Sequence, residues 1–308
     1  MLDLQGLQLR AALFRCIRRF FERRGFLEVD TPIRQPVVIP ESNIEPLPSA
    51  SWFLQTSPEQ CMKRLLAAGC GDIFQICSCF RAEERGSRHL EEFTMLEWYR
   101  TDGDYNYLME DCRQLVQWVL ASLDDDPGFR QVVAASWFAD AALAGDWQKL
   151  TVADAFAQWS DIPVQEALAA DRFDEIISVE IEPKLGATVP AFLCDYPAEC
   201  ASLARLKAGD RNLAERFELY MNGVELANGF SELTDSSEQR RRFIEEASLI
   251  EKKTGVRREL PEKFLAELDK LNRAAGIAFG LDRFLMLLLS ADHIDAVLPF
   301  SVDDLVND

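Results

Sequence analysis

The segment FRAEERGSRHLEEFTMLEW, Phe80 to Trp98, constrains the fold more than any other part of the chain. It reads as strand, charged loop, strand. Arg81 and Glu83 fall at alternate positions of the first strand. Phe93, Met95, Glu97 and Tyr99 alternate along the second and so share one face. Between them Arg85, Arg88 and His89 surround Gly86. A loop of cations held between strands can wrap a polyanion, and an aromatic ring at its far end offers a flat surface to a base. The hairpin is thus a candidate cradle for a nucleoside triphosphate without a P-loop. The same charges would equally serve a salt-bridged hairpin.

A second segment, FELYMNGVELANGF from Phe217 to Phe230, sets Asn222-Gly223 between apolar runs, the strongest short-range hairpin signal. A two-residue turn there predicts pairs of Met221 with Val224, Tyr220 with Glu225 and Glu218 with Ala227. Glu218, Tyr220, Glu225 and Ala227 then share one face, the two carboxylates being diagonal neighbours about 7–8 Å apart. Carboxylates that close repel unless a cation lies between them. An oxygen-rich set without imidazole suits Mg²⁺ held together with substrate phosphates. On a solvated hairpin the same acids would need no cation. Asn228 breaks the alternation, and Gly229 marks a place for a bulge that turns Asn228 back toward the carboxylates.

The third segment is GIAFGLDRFLMLLL, Gly276 to Leu289. Two glycines surround a short apolar strand, and a helix begins near Leu281. Arg283 falls in its first turn, where the helix dipole disfavours a cation unless an anion lies nearby. Gly280 leaves room for a ligand against the backbone. Without a ligand, the pattern is a core helix with an arginine reaching to solvent.

Together these segments resemble motifs 2 and 3 of the class II aminoacyl-tRNA synthetases, with the acidic hairpin between them. Motif 1 fits the start of the chain. A helix over Arg10 to Arg24 carries Leu13, Ile17, Phe20 and Phe21 in one stripe, Gly25 stops it, and FLEVDTPI with Pro32 follows. TSPEQCMKRLLAAGCGDIFQI and ELANGFSEL are similar to the lysyl branch, since aspartyl and asparaginyl relatives have Gln where Glu59 stands. Within that branch MKRLLAAGCG, EFTMLEWYR, AERFELY and ELANGF resemble the paralogues that modify elongation factor P. The likeness covers nearly all 308 residues.

The resemblance implies an α+β fold, the class II synthetase catalytic domain, with an antiparallel sheet flanked by helices. It implies a homodimer formed through motif 1. It also implies ATP as a substrate, Mg²⁺, and a lysine-like amino acid activated as its adenylate. Arg81 and Arg283 are then the catalytic cations. Arg81 would clamp the α-phosphate and the attacking carboxylate, Glu83 would face the adenine amino group, and Phe93 would stack under adenine. Arg283 would lie over the other side of adenine and reach the γ-phosphate, and His89 would touch the outer phosphates. Ala82, Leu90, Leu226 and Gly280 complete the ATP site. Glu218 and Glu225 would hold Mg²⁺. Ser57, Pro58, Glu59, Tyr99, Asn228, Glu232 and Ala278 would form the amino-acid pocket, where the two glutamates match a substrate with two ammonium groups. Ala278 stands where lysyl-tRNA synthetases have Gly, a change shared by the elongation-factor paralogues that favours (R)-β-lysine over α-lysine. Leu90 replaces a family Asn, and LNRAAG with Arg273 replaces a family Pro-containing turn.

Length and composition suit one large catalytic domain over residues 1–308, with 48% hydrophobic residues for its core. DDDPG, Asp124 to Gly128, ends a helix over Tyr107 to Leu123. Residues 129–190 read as a mainly helical insertion, with Phe138, Ala142, Phe156 and Trp159 as its apolar positions. A charged helix over Glu238 to Thr254 has Phe243, Ala247 and Ile250 on one face. The expected motif 1 helix begins so near Met1 that no anticodon-binding domain is expected before it. With 52 acids against 33 Lys and Arg, the net charge of −19 disfavours stable tRNA binding and suits a basic protein substrate. No membrane segment is expected. Eight cysteines at irregular spacing predict reduced thiols and a cytoplasmic protein; Cys77 and Cys79 lack the second pair of a zinc site.

Three functions follow. In the first, which the resemblance implies, the chain would activate (R)-β-lysine as its adenylate and transfer it to a lysine of elongation factor P. Alternatively, it is a truncated lysyl-tRNA synthetase-like enzyme using α-lysine, or a non-catalytic synthetase-like regulator.

Overall fold

The structure is a computed structural model that describes residues 2–136 and 138–306. The chain opens with helix α1 (Leu4–Glu22), capped where the Asp3 side chain accepts from the Gly6 N–H at 2.8 Å, and Gly25 ends it with a φ of 78°. Strands β1 (Leu27–Glu28), β2 (Arg34–Gln35), β3 (Pro48–Ser49) and β4 (Trp52–Leu54) lead into helix α2 (Glu59–Ala67). β2, β4 and β3 form a small antiparallel sheet. Next come β5 (Ile73–Phe80), β6 (Glu92–Thr101) and helix α3 (Tyr105–Asp124), whose Asp104 cap accepts from the Asn106 N–H.

Residues 129–190 contain short helices α4 (Arg130–Ala135), α5 (Ala139–Ala144), α6 (Val152–Trp159), α7 (Val164–Ala169) and α8 (Phe173–Ile176). They also contain a strand the sequence reading did not anticipate, β7 (Gln148–Thr151), which pairs parallel with β8 (Ala191–Pro197). Phe138 and Ala142 join the main core, while Phe156 and Trp159 pack in a separate cluster with Phe173, Ile176 and Leu193. The chain closes through β9 (Leu213–Met221), β10 (Val224–Ser231), α9 (Ser236–Thr254), α10 (Glu262–Leu268), β11 (Ala274–Gly280), α11 (Leu281–Leu288) and α12 (Val302–Val306).

Eight strands form the main sheet in the order β1-β5-β6-β11-β10-β9-β8-β7. The six inner strands are antiparallel, as expected; the edge pairs β1·β5 and β7·β8 are parallel. Strand alternation sorts the side chains. Leu96, Trp98, Phe217, Leu219, Ala275, Ile277 and Phe279 enter the core with α1, α3 and α11. Glu97, Tyr99, Arg216, Asn228, Gly276 and Ala278 line a cavity on the other face. Leu13, Ile17, Phe20 and Phe21 are also buried in that core. The stripe of the motif 1 helix is therefore internal, and Leu4, Leu7, Leu27 and Ile33 are large apolar residues that this part of the chain leaves exposed. Among the described residues, no helix is long and apolar enough to cross a membrane.

Candidate active site

The expected strand–loop–strand is present, with one displacement. β5 ends at Phe80, so Arg81 and Glu83 lie beyond the strand. Glu83 has a φ of 64°, and its N–H donates to Glu91 Oε1 at 3.2 Å. The turn that leaves the strand therefore sets their directions, not strand alternation. β6 pairs with β11 so that Glu97 lies opposite Ala278 and Tyr99 opposite Gly276. This register brings motifs 2 and 3 onto one floor.

The Asn222-Gly223 turn forms with φ values of 53° and 65°, and Met221 pairs with Val224 and Tyr220 with Glu225 as expected. The third pair differs. The register shifts between Glu225 and Ala227, so Ala227 pairs with Leu219 and Asn228 with Glu218. A bulge does return Asn228 to the carboxylate face, but it lies before Ala227 and not at Gly229. Ala227 joins the core cluster.

These elements enclose a cavity of about 1110 Å³. Arg81, Glu83, His89, Leu90, Phe93, Glu225, Leu226, Gly280 and Arg283 line it. So do Ser57, Glu59, Tyr99, Asn228 and Ala278. Ala82, Pro58, Glu218 and Glu232 are not among its lining residues. Ala82 bridges to Glu45, and the Pro58 carbonyl accepts from the Cys61 and Met62 N–H groups of α2.

At one end the cations converge. The Arg81 guanidinium lies 5.1 Å from the Phe93 ring centre, and its buried Nε has no hydrogen-bond partner among the described residues. Arg283 donates to the Arg88 and Glu225 carbonyls at 3.1 and 2.9 Å and pairs with the Glu225 carboxylate at 3.3 Å. Burial and Arg283 hold His89 below its ordinary value, favouring neutral imidazole. An anion placed among these groups would meet donors aimed in advance.

At the other end carboxyl groups gather. Glu97 is buried and accepts from the Tyr99 hydroxyl at 2.9 Å; burial, then the nearby Glu59, push it well above the carboxylate range. Buried Lys63 pairs with Glu59 at 2.5 Å and with Glu232 at close range. Burial alone would lower Lys63, but these two carboxylates outweigh it and keep the ammonium charged. Glu232 is pushed up to about 8 by burial, opposed by Lys63. The two glutamates read as a diammonium receptor thus already share an internal cation.

Glu218 faces Arg216 at 2.6 Å and accepts from the Tyr196 and Tyr220 hydroxyls at 2.5 and 2.6 Å. Leu90 is buried in the core, and Arg273 pairs with Asp104 at 2.9 Å, anchoring the altered turn before β11.

A match to the class II tRNA synthetases of the D, K and N type spans residues 4–304. The chain belongs to that family. Among relatives, an elongation factor P–(R)-β-lysine ligase of Edwardsiella ictaluri is 39% identical over 306 residues, covering 96% of this chain and 94% of its own length. Similarly named ligases of Histophilus somni and Mannheimia succiniciproducens are 36% and 39% identical, with the first covering 98% of this chain and 96% of its own length. The class II frame accounts for the α+β sheet and for the ATP-dependent ligase character of this chain. The cavity also includes residues that the sequence did not mark as site residues: Glu97, Glu41 and Arg216 line it, and Lys63 reaches it through its pairs with Glu59 and Glu232. Glu97 could have been found from its alternation with Phe93 and Tyr99. The others depend on contacts between distant segments and carry no local signal.

Proposed function

We propose that this chain activates (R)-β-lysine as its adenylate and transfers it to a lysine side chain of elongation factor P. The division of charge along one cavity carries this reading. Arg81, Arg283, His89 and the Phe93 ring line one end, and Glu59, Glu97, Tyr99 and Asn228 line the other. A triphosphate with its base suits the first; an amino acid with two ammonium groups suits the second. The relatives, named as elongation factor P–(R)-β-lysine ligases, suggest the acceptor.

In the first step a substrate carboxylate oxygen attacks the α-phosphorus of ATP. The bond to pyrophosphate breaks and pyrophosphate leaves. The nucleophile is already ionised, so positioning and charge neutralisation supply the catalysis. The Arg81 Nε, without a hydrogen-bond partner among the described residues, suits the equatorial charge that develops. Arg283 suits the outer phosphates, while Glu83 and Phe93 frame adenine. In the second step a neutral acceptor amine attacks the adenylate carbonyl, an amide forms, AMP leaves, and the amine sheds a proton.

Class II ligases use ATP and typically Mg²⁺. Glu225 fits a magnesium role, because among the described residues its half-buried carboxylate pairs with one arginine, Arg283, at the cavity wall. Glu218 accepts three hydrogen bonds and would support the site by charge from behind. The ion would screen the triphosphate. The eight unpaired thiols suit a reducing, cytoplasmic setting.

The test combines ATP–pyrophosphate exchange over a panel of lysine isomers with mass spectrometry of elongation factor P after incubation with enzyme, ATP and (R)-β-lysine. A gain of one β-lysyl group on a single lysine is expected. Lysine charging of tRNA, with no gain on elongation factor P, would overturn the reading.

A further inference from the structure

Asn228 reaches the cavity only because of the bulge in β10, which sets it directly opposite Glu218 on β9. Arg216, two residues before Glu218 on the same strand face, is diagonal to it. Its guanidinium is held from three sides. Nε donates to Asn228 Oδ1 at 3.2 Å, one terminal nitrogen donates to the Cys200 carbonyl at 2.8 Å, and the other donates to Glu218 Oε1 at 2.6 Å. The same group lies 4.4 Å from the Tyr196 ring centre.

The donor inventory decides what this does to Asn228. A guanidinium has five N–H donors and no acceptor. Whichever atom of the Asn228 amide faces Arg216 must therefore be the oxygen. The amide nitrogen is left to turn away, and Asn228 lines the cavity. We propose that Arg216 is a positioning residue that locks the Asn228 amide so that it presents N–H donors, and not its oxygen, to the amino-acid substrate. This wall of the pocket then reads an acceptor oxygen, the substrate carboxylate, and repels an ammonium. The ammonium groups are left to the carboxyl groups of Glu59 and Glu97. One pocket thereby distinguishes the two ends of a substrate that has charges of both signs. Only a planar fork serves here, because a lysine is a point charge and cannot hold three acceptors in fixed directions.

The inference rests on the amino-acid activation proposed above, and the experiment separates the two. Steady-state ATP–pyrophosphate exchange is measured with the lysine isomer that the wild type prefers. The proteins compared are the wild type and the Arg216→Lys, Asn228→Ala, Asn228→Asp and Arg216→Lys/Asn228→Ala variants, with thermal melts as the folding control. Arg216→Lys is expected to raise the amino-acid KM about tenfold, the scale of one hydrogen bond to a charged group, with a smaller effect on the ATP KM. Asn228→Asp keeps a partner for Arg216 but replaces donors with acceptors, and is expected to raise the amino-acid KM at least as far. If Arg216 acts through Asn228, Arg216→Lys adds little to Asn228→Ala in the double variant. Fully additive effects, or a wild-type amino-acid KM in Asn228→Asp, would overturn the proposal while leaving the enzyme's function standing. Absence of wild-type exchange with every lysine isomer would overturn the functional reading and this inference with it. A variant that does not fold leaves the decision to Asn228→Asp, whose new carboxylate faces Arg216.

Discussion

At the scale of single residues, Arg81 and Arg283 come to the cavity from the end of β5 and the first turn of α11, and both meet it with donors in place. Replacing either by Ala removes charge stabilisation that grows as the phosphorane-like transition state forms. Arg81→Ala and Arg283→Ala should each slow ATP–pyrophosphate exchange about 10²-fold or more, and wild-type rates in both would remove the phosphate clamp from the mechanism. A second residue reports through pH. Burial and the neighbouring Glu59 push the Glu41 carboxyl up to about 7, while its ordinary value is about 4.3. Between those values the folded protein keeps a proton that the unfolded chain has released. The stability contributed by this group is present at low pH and is lost as pH rises through 7. The melting temperature should therefore fall from about pH 5 to about pH 8, and Glu41→Gln should flatten that decline. An identical slope in the variant would mean that Glu41 titrates as an ordinary carboxylate.

At the scale of elements, β11 shows why glycine is required at one position. A Cβ at Gly276 would collide with the Tyr99 ring and with Glu232 Oε1. The neighbours are a buried ring and a buried carboxylate, and neither has room to yield. Gly276→Ala should destabilise the fold by about 1–3 kcal/mol and raise the amino-acid KM more than the ATP KM. Equal effects on both substrates would show a general loss of packing. The sequence reading found Gly276 from its pairing with Gly280 but gave it no role, because the collision involves residues some 40 and 180 positions away. Other differences have the same origin. The Asn222-Gly223 turn was legible because a two-residue loop demands left-handed backbone at both positions. The bulge beyond it was placed at Gly229 from composition; the structure puts it between Glu225 and Ala227, where Ala227 turns into the core and Asn228 into the site. Strand β7 was missed because QKLT is short, has no apolar–polar alternation and carries a single β-branched residue, Thr151, at its end; pairing with β8 supplies its conformation. The charged helix was legible over Glu238 to Thr254, and Asp235 begins it two residues earlier by capping the Ser237 and Glu238 N–H groups.

At the scale of the whole molecule, the apolar stripe of the motif 1 helix is internal, yet Leu4, Leu7 and Leu27 of the same segment remain exposed. A second copy of the chain covering them is the expected arrangement, and light scattering at micromolar concentration should give about twice 34.9 kDa. The mass of one chain would contradict it. The net charge of −19 bears on the second substrate more than on the first. ATP is an anion and must be met by local cations inside the cavity, at short range and with little screening. An acceptor lysine belongs to a macromolecule that approaches over a distance comparable to or longer than the Debye length, where the summed negative field of the enzyme acts on it. Complementary fields raise the association rate and lose that effect as salt is added. Raising ionic strength from about 0.05 to about 0.5 M should therefore lower kcat/KM for elongation factor P by about tenfold. Exchange with ATP and the lysine isomer should change far less over the same range. The comparison separates docking from chemistry because both measurements share the adenylation step. Equal salt sensitivity in the two assays would place the electrostatic effect in the cavity and leave the acidic surface without a part in acceptor capture.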